Sequence, residues 1–185
     1  MPLLSNFVAR SRYRMVAPYV AGDVLDIGCG RADLLRDHAG AIRRYVGVEF
    51  HADRVESLSR RYPRADFRIR NLDEEALEIE GTFDVILLVA VIEHIWNQRF
   101  LLSQLAPRLK PGGFIVFTTP TPFGNDVVHR LGAALSLFAR SAVDDHIVIY
   151  NKLRFRHLAR EFGFELVRYR RFQFFSNQLA VFQRA

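Results

Sequence analysis

The sequence predicts an α/β fold: a doubly wound, mostly parallel sheet with an antiparallel C-terminal strand and helices on both faces. Three observations carry this. Short β-branched runs alternate with helical stretches, as βαβ units require. The run Phe83 to Val89 has one charge, at its edge, and so suits a central strand buried on both faces. A glycine turn, Gly28-Cys29-Gly30, follows the first strand and opens the first helix.

Taken in order, Val24 to Ile27 is the first predicted strand, Tyr45 to Glu49 the second, Phe67 to Arg70 the third, Phe83 to Val89 the fourth and Phe114 to Thr119 the fifth. Helices are expected over Ala32 to His38, Asp53 to Arg61 and Arg99 to Leu109. Pro111-Gly112-Gly113 should end the last of these. The order β-α-β-α-β, then β-α-β, is doubly wound and Rossmann-like. From Thr121 to Asp145 the rhythm breaks: Pro120, Pro122 and Gly124 open a loop, and Val127 to Ala142 reads as an apolar helix. Residues 121–145 are therefore expected to form a cap or lid over an acceptor site. Leu153 to Phe162 is a further helix stopped by Gly163, and Phe164 to Arg170 with Gln178 to Gln183 form a terminal strand pair around Ser176-Asn177.

The 185 residues, half of them hydrophobic and a quarter charged, favour one globular domain over 1–185 and exclude a disordered chain. No apolar run is long enough to span a bilayer and no leader pattern opens the chain, so a cytoplasmic protein is expected. One cysteine, Cys29, excludes an internal disulfide and a cysteine-rich metal site. No metal is expected. The net charge of +6 comes almost wholly from arginine and concentrates in residues 152–171, whereas residues 73–84 are acidic. A basic face of that kind is either simply solvated or drawn to an anionic substrate, an acidic lipid surface or nucleic acid.

Chemistry starts at the glycine turn, whose backbone N–H groups can approach a ligand closely. Dinucleotide enzymes use the same device, but their fingerprint wants glycine at position 33, where this chain has Asp33. Asp26, two residues before the turn, can hold the loop or meet a cationic amino group, which S-adenosylmethionine offers. Glu49 ends the second strand about 20 residues on, where a carboxylate accepts ribose hydroxyls.

Four blocks, Val24-Leu25-Asp26-Ile27-Gly28-Cys29-Gly30, Val46-Gly47-Val48-Glu49, Phe83-Asp84-Val85-Ile86 running into Val91-Ile92-Glu93-His94, and Leu109-Lys110-Pro111-Gly112-Gly113, stand in this order. Over roughly residues 22 to 170 the chain resembles the class I S-adenosylmethionine-dependent methyltransferases, in particular the small-molecule branch that includes the ubiquinone-biosynthesis type. The resemblance implies that Asp26, Gly28, Cys29 and Gly30 line the methionine end and ribose of S-adenosyl-L-methionine. Glu49 would hold the ribose hydroxyls, Phe50 would lie against adenine, Asn71 and Leu72 would meet the adenine edge, and Leu88 and Val89 would border the sulfonium. Asn71 departs from the family's usual aspartate, and Ala32 replaces a frequent third glycine.

His94, in the fourth-strand block, and His146, in Asp144-Asp145-His146, are the candidate general bases, each weighed against a purely structural role. Trp96 is expected to pack, and Cys29 only needs to be small. The acceptor implied is a small molecule, a glycan or a lipid-linked compound, most readily methylated at oxygen. Arg130 and Arg140 flank the uncharged stretch Leu131 to Ala139, which allows peripheral contact with anionic lipid. Nucleic acid is disfavoured, since Val89-Ala90-Val91-Ile92 stands where base methylases of the amino type carry Asn/Asp-Pro-Pro-aromatic. A non-catalytic or partner-dependent cofactor-binding domain stays open. An NAD-dependent oxidoreductase is weaker, because none of the six tyrosines has lysine four residues later.

Overall fold

A computed structural model describes residues 3–124 and 147–184. Seven strands form one sheet: β1 (Gly22–Ile27), β2 (Ile42–Glu49), β3 (Asp66–Ile69), β4 (Phe83–Val89), β5 (Leu109–Pro120), β6 (Phe164–Phe172) and β7 (Asn177–Arg184), in the order β3-β2-β1-β4-β5-β7-β6. β1 to β5 pair in parallel, and β7 runs antiparallel between β5 and β6. This is the expected doubly wound class, with the strand order reversing between β1 and β4.

Helices α1 (Leu3–Val16), α2 (Asp33–His38) and α3 (Ala52–Arg61) cover one face, and α4 (Gln98–Leu105) and α5 (Lys152–Glu161) cover the other. Each face has its own core. Val16, Leu34, Val55 and Leu58 pack on Val24, Val85 and Val116, while Leu101, Leu105, Phe155 and Leu158 pack on Leu25, Ile86 and Phe117. Central strands buried on both faces need apolar residues at consecutive positions, which is why β4 reads as an unbroken run. Among the described residues no helix is long and apolar enough to cross a membrane.

Most element ends shift by up to three residues from the sequence expectation, and two boundaries differ by more. Helix α4 ends at Leu105, not at Leu109, because Pro107 has no N–H to offer and opens a 3-10 turn over Ala106–Arg108. Leu109 already pairs with Phe83, so Pro111-Gly112-Gly113 lies inside β5, across a shift of register. The helix over 3–16 carries no strong apolar stripe. Only its docking on the sheet shows its purpose.

At the amino ends of β1, β4 and β5, Lys110 Nζ donates to Asp23 (2.7 Å) and Asp84 (2.9 Å), Arg43 pairs with both carboxylates, and the Asp23 N–H donates to Asp84. Hydrogen bonds from Arg43 and Lys110 hold the Asp23 carboxyl down at about 2. This clamp lies at the edge opposite the glycine turn, so the Phe83-Asp84 and Lys110-Pro111-Gly112-Gly113 blocks do structural work. The 121–145 insertion falls almost wholly outside the described residues, as does Leu131 to Ala139.

Candidate functional site

In open α/β sheets ligands bind outside the carboxyl ends of the strands, where the strand order reverses. That place is occupied here by the turn after β1. Gly28 and Gly30 have φ of 67° and 57°, a region glycine enters without steric cost, and a side chain on Gly28 would run into Val91. The turn is fixed from β2: the Cys29 N–H donates to Val48 O (3.0 Å) and the Gly30 N–H to Glu49 Oε2 (3.0 Å).

Glu49 is buried to 6% exposure and is held by several donors. Its Oε1 accepts from the N–H groups of Phe50 (3.0 Å) and His51 (3.3 Å) and pairs with Arg54 (3.1 Å). Among the described residues Oε2 has a single donor, Gly30, which leaves it a lone pair for a ligand hydroxyl. Beside it opens a cavity of about 370 Å³ lined by Gly28, Val48, Glu49, Phe50, Arg70, Asn71, Leu72, Asp73, Val91 and Ile95. Apolar walls with few convergent polar groups suit a nucleoside. The sequence-predicted residues Gly28, Glu49, Phe50, Asn71 and Leu72 thus come together.

The others are placed differently. Asp26 lies beneath the turn, 3% exposed, and accepts a hydrogen bond from Tyr45 Oη at 2.7 Å. Burial pushes its carboxyl up to about 7, against the pull of Tyr45 and with help from the charge of Glu49. Cys29 is buried, near Gly47 and Phe67, and burial pushes its thiol far up, so it is no nucleophile. Leu88 is wholly buried in the core and Val89 partly so. His94 ends a 3-10 turn over Ile92–His94, half-buried, with its N–H on Val91 O. His146 lies outside the described residues. Asp33 turns its carboxylate to Arg31 (3.1 Å) and Arg36 (2.7 Å), so it neither faces nor repels a ligand in the cavity. Trp96, expected to pack, is 76% exposed at the rim of a second cleft between α4 and α5.

Several site residues were not legible in the sequence. Asp73 Oδ1 accepts the N–H groups of Trp96 (2.7 Å) and Asn97 (3.0 Å), tying the segment after β3 to the one after β4 and so closing one side of the cavity. Glu93 is 1% exposed, and neither of its carboxyl oxygens has a hydrogen-bond partner among the described residues. Burial raises its carboxyl, and the field of Arg12 on α1 opposes that shift. Arg12 is itself held by Asn177 (2.9 Å). No short-range pattern marks these roles. Among the described residues no cluster of metal-ligating side chains occurs.

The family model of a methyltransferase domain matches residues 4–169. A probable S-adenosylmethionine-dependent methyltransferase of Mycolicibacterium smegmatis is 39% identical over 112 residues, covering 58% of this chain and 42% of that protein. A ubiquinone biosynthesis O-methyltransferase of Thiobacillus denitrificans is 26% identical over 108 residues, covering 56% and 46%. The chain therefore spans less than half the length of these curated relatives. The structure of magnesium protoporphyrin IX methyltransferase from Synechocystis, with bound S-adenosylhomocysteine, is similar in fold (TM-score 0.68, 16% identity, 96% and 82% of the two chains). Because the family match runs from α1 through the five parallel strands into β6 and includes the braced turn and Glu49, the chain belongs to the class I S-adenosylmethionine-dependent methyltransferases.

Proposed function

We propose that this chain transfers the methyl group of S-adenosyl-L-methionine to a hydroxyl oxygen of a small-molecule, glycan or lipid-linked acceptor. The observation that carries the reading is the Glu49 carboxylate, braced by backbone N–H groups and Arg54 at the mouth of a nucleoside-sized cavity. The cofactor, when bound, supplies a methyl group on a sulfonium that is already an activated leaving group.

The chain's part is alignment. Glu49 would hold the ribose, Asn71 and Leu72 the adenine edge with Phe50 across its face, and Gly28 and Gly30 the methionine end, with Val89 bordering the sulfonium; Asp26 and Cys29, buried beneath the turn, and Leu88, in the core, would shape the seat from behind. With the donor seated, these residues would set the acceptor oxygen in line with the methyl carbon, so that a C–O bond could form as the C–S bond breaks, and proximity would supply much of the rate. The hydroxyl proton goes to a base, for which His94 and His146 are the candidates. Oxygen as the acceptor atom draws support from the O-methyltransferase relative.

Scanning calorimetry with S-adenosylmethionine, S-adenosylhomocysteine and NAD side by side tests the cofactor. At saturating S-adenosylhomocysteine the Tm should rise by roughly 5–10 °C. Glu49→Ala should remove most of that shift. Equal stabilisation by NAD, or by none of the three, defeats the reading. His94→Gln and His146→Gln, assayed by transfer of labelled methyl into cell extract, separate the base from a structural histidine: the base variant loses about 100-fold or more in turnover and keeps the S-adenosylhomocysteine shift.

A further inference from the structure

Four phenylalanines stand exposed along one rim: Phe174 (91%), Phe175 (64%), Phe7 (59%) and Phe123 (51%). They come from three segments: the start of α1, the exit of β5 and the turn joining β6 to β7. Hydrogen bonds draw these segments together. Gln173 Nε2 donates to Val8 O (3.3 Å), Arg12 Nε to Asn177 Oδ1 (2.9 Å), the Thr121 N–H to Ser176 O (3.0 Å) and Thr121 Oγ1 to Phe175 O (2.5 Å).

The turn itself is unusual. Gln173, Phe174 and Phe175 have φ of 50°, 52° and 66°, three successive residues with side chains in the left-handed region, which bulky L residues rarely enter. Both the N–H and the hydroxyl of Ser176 donate to Gln173 O and brace it. The result is a protrusion that holds two aromatic rings out in water, against the hydrophobic effect.

Charge points to what covers it. Residues 1–22 and 166–185 carry Arg10, Arg12, Arg14, Arg168, Arg170, Arg171 and Arg184 and no aspartate or glutamate. These two segments, packed on one another, carry three of the four phenylalanines. Arg170 and Arg171 stand exposed at the end of β6, next to the turn, whereas Arg10 and Arg14 share a cleft with Asp33 and Asp37, and Arg184 reaches Ala106 O and Leu109 O at the far end of β5. Projecting aromatics beside exposed arginines match the boundary between acyl chains and anionic headgroups. The rim also lies at the carboxyl end of β5, the edge of the sheet at which the cofactor cavity opens.

We propose that this rim docks on an anionic bilayer, with Phe174 and Phe175 entering the headgroup–acyl boundary and Arg170 and Arg171 resting on lipid phosphates. Seated so, the chain turns its cofactor edge to the membrane, where a lipid-linked acceptor is presented. The inference extends the lipid-linked form of the proposed acceptor, but docking needs no turnover, so its failure leaves methyl transfer standing.

The test is flotation of the full chain with vesicles of phosphatidylcholine and phosphatidylglycerol in equal parts, against phosphatidylcholine alone, at low and high salt. The chain should float with the anionic vesicles, remain in solution with the neutral ones, and be released by salt. Combined Phe174→Ser and Phe175→Ser should weaken partitioning about tenfold or more. Arg170→Gln and Arg171→Gln should each weaken it about fivefold. All variants should keep the Tm and the S-adenosylhomocysteine shift of the parent. A chain that ignores anionic vesicles, binds neutral ones equally, dimerises through the rim instead, or floats unchanged without Phe174 and Phe175 overturns the proposal.

Discussion

Asp26 shows how one buried atom pair converts position into pH dependence. Its carboxyl ordinarily titrates near 3.8 and in the fold near 7. Below 3.8 the folded and unfolded chains both hold the proton, and this residue's stabilising effect is fully present. As pH rises toward 7 the unfolded chain releases its proton first, so stability falls across that window and levels above it. Asp26→Asn, which keeps an acceptor for Tyr45, should flatten that slope in urea titrations between pH 4 and 7; an unchanged slope would remove Asp26 as its source. Glycine at 28 and 30, the acid at 49 and the small residue at 29 were legible in the sequence because a tight turn and a strand end demand those types. Asp33 was legible as an acid but not in its direction, since Arg31 and Arg36 claim it only once α2 has formed. Glu93 and Asp73 were illegible for a similar reason: their meaning lies in neighbours 23 residues or more away in sequence.

At the scale of elements, the strands and helices follow from alternation and period, and their ends follow from single residues. Pro107 shortens α4, and Asn151 starts α5 by accepting the Arg154 N–H at 2.9 Å. Asn151→Ala should cost about 1 kcal/mol, seen as a Tm lower by about 2–4 °C; no change would mean that water replaces the cap. Lys110 belongs to this scale too, because it joins the starts of three strands. Asp23, held at about 2, contributes stability above its ordinary 3.8, and that contribution disappears as pH falls through about 2. Lys110→Met removes one of its two cationic partners, so acid unfolding followed by circular dichroism should begin at higher pH than in the parent. Retention of the parent's acid midpoint would show that Arg43 suffices. The sequence placed Lys110-Pro111-Gly112-Gly113 at a helix end; the ladder bond of Leu109 with Phe83 shows it to be the root of a strand.

For the whole molecule, the number and kind of strands were readable, and so was the parallel winding. The insertion of β7 between β5 and β6 was not, because pairing order depends on which edge is open after the parallel strands assemble. Charge was readable as a tally but not as a surface: only the packing of α1 on the β6–β7 turn brings two acid-free segments together. The bracing of Glu49 has a kinetic meaning as well. Gly30, Phe50, His51 and Arg54, all groups of the fold itself, hold its carboxylate, so the expectation is that association does not wait for the loop to order. Stopped-flow mixing with S-adenosylhomocysteine should give one exponential whose rate climbs linearly with concentration, without the plateau that a slow opening step imposes. That outcome would mean a seat built during folding, with occupancy a question of encounter alone.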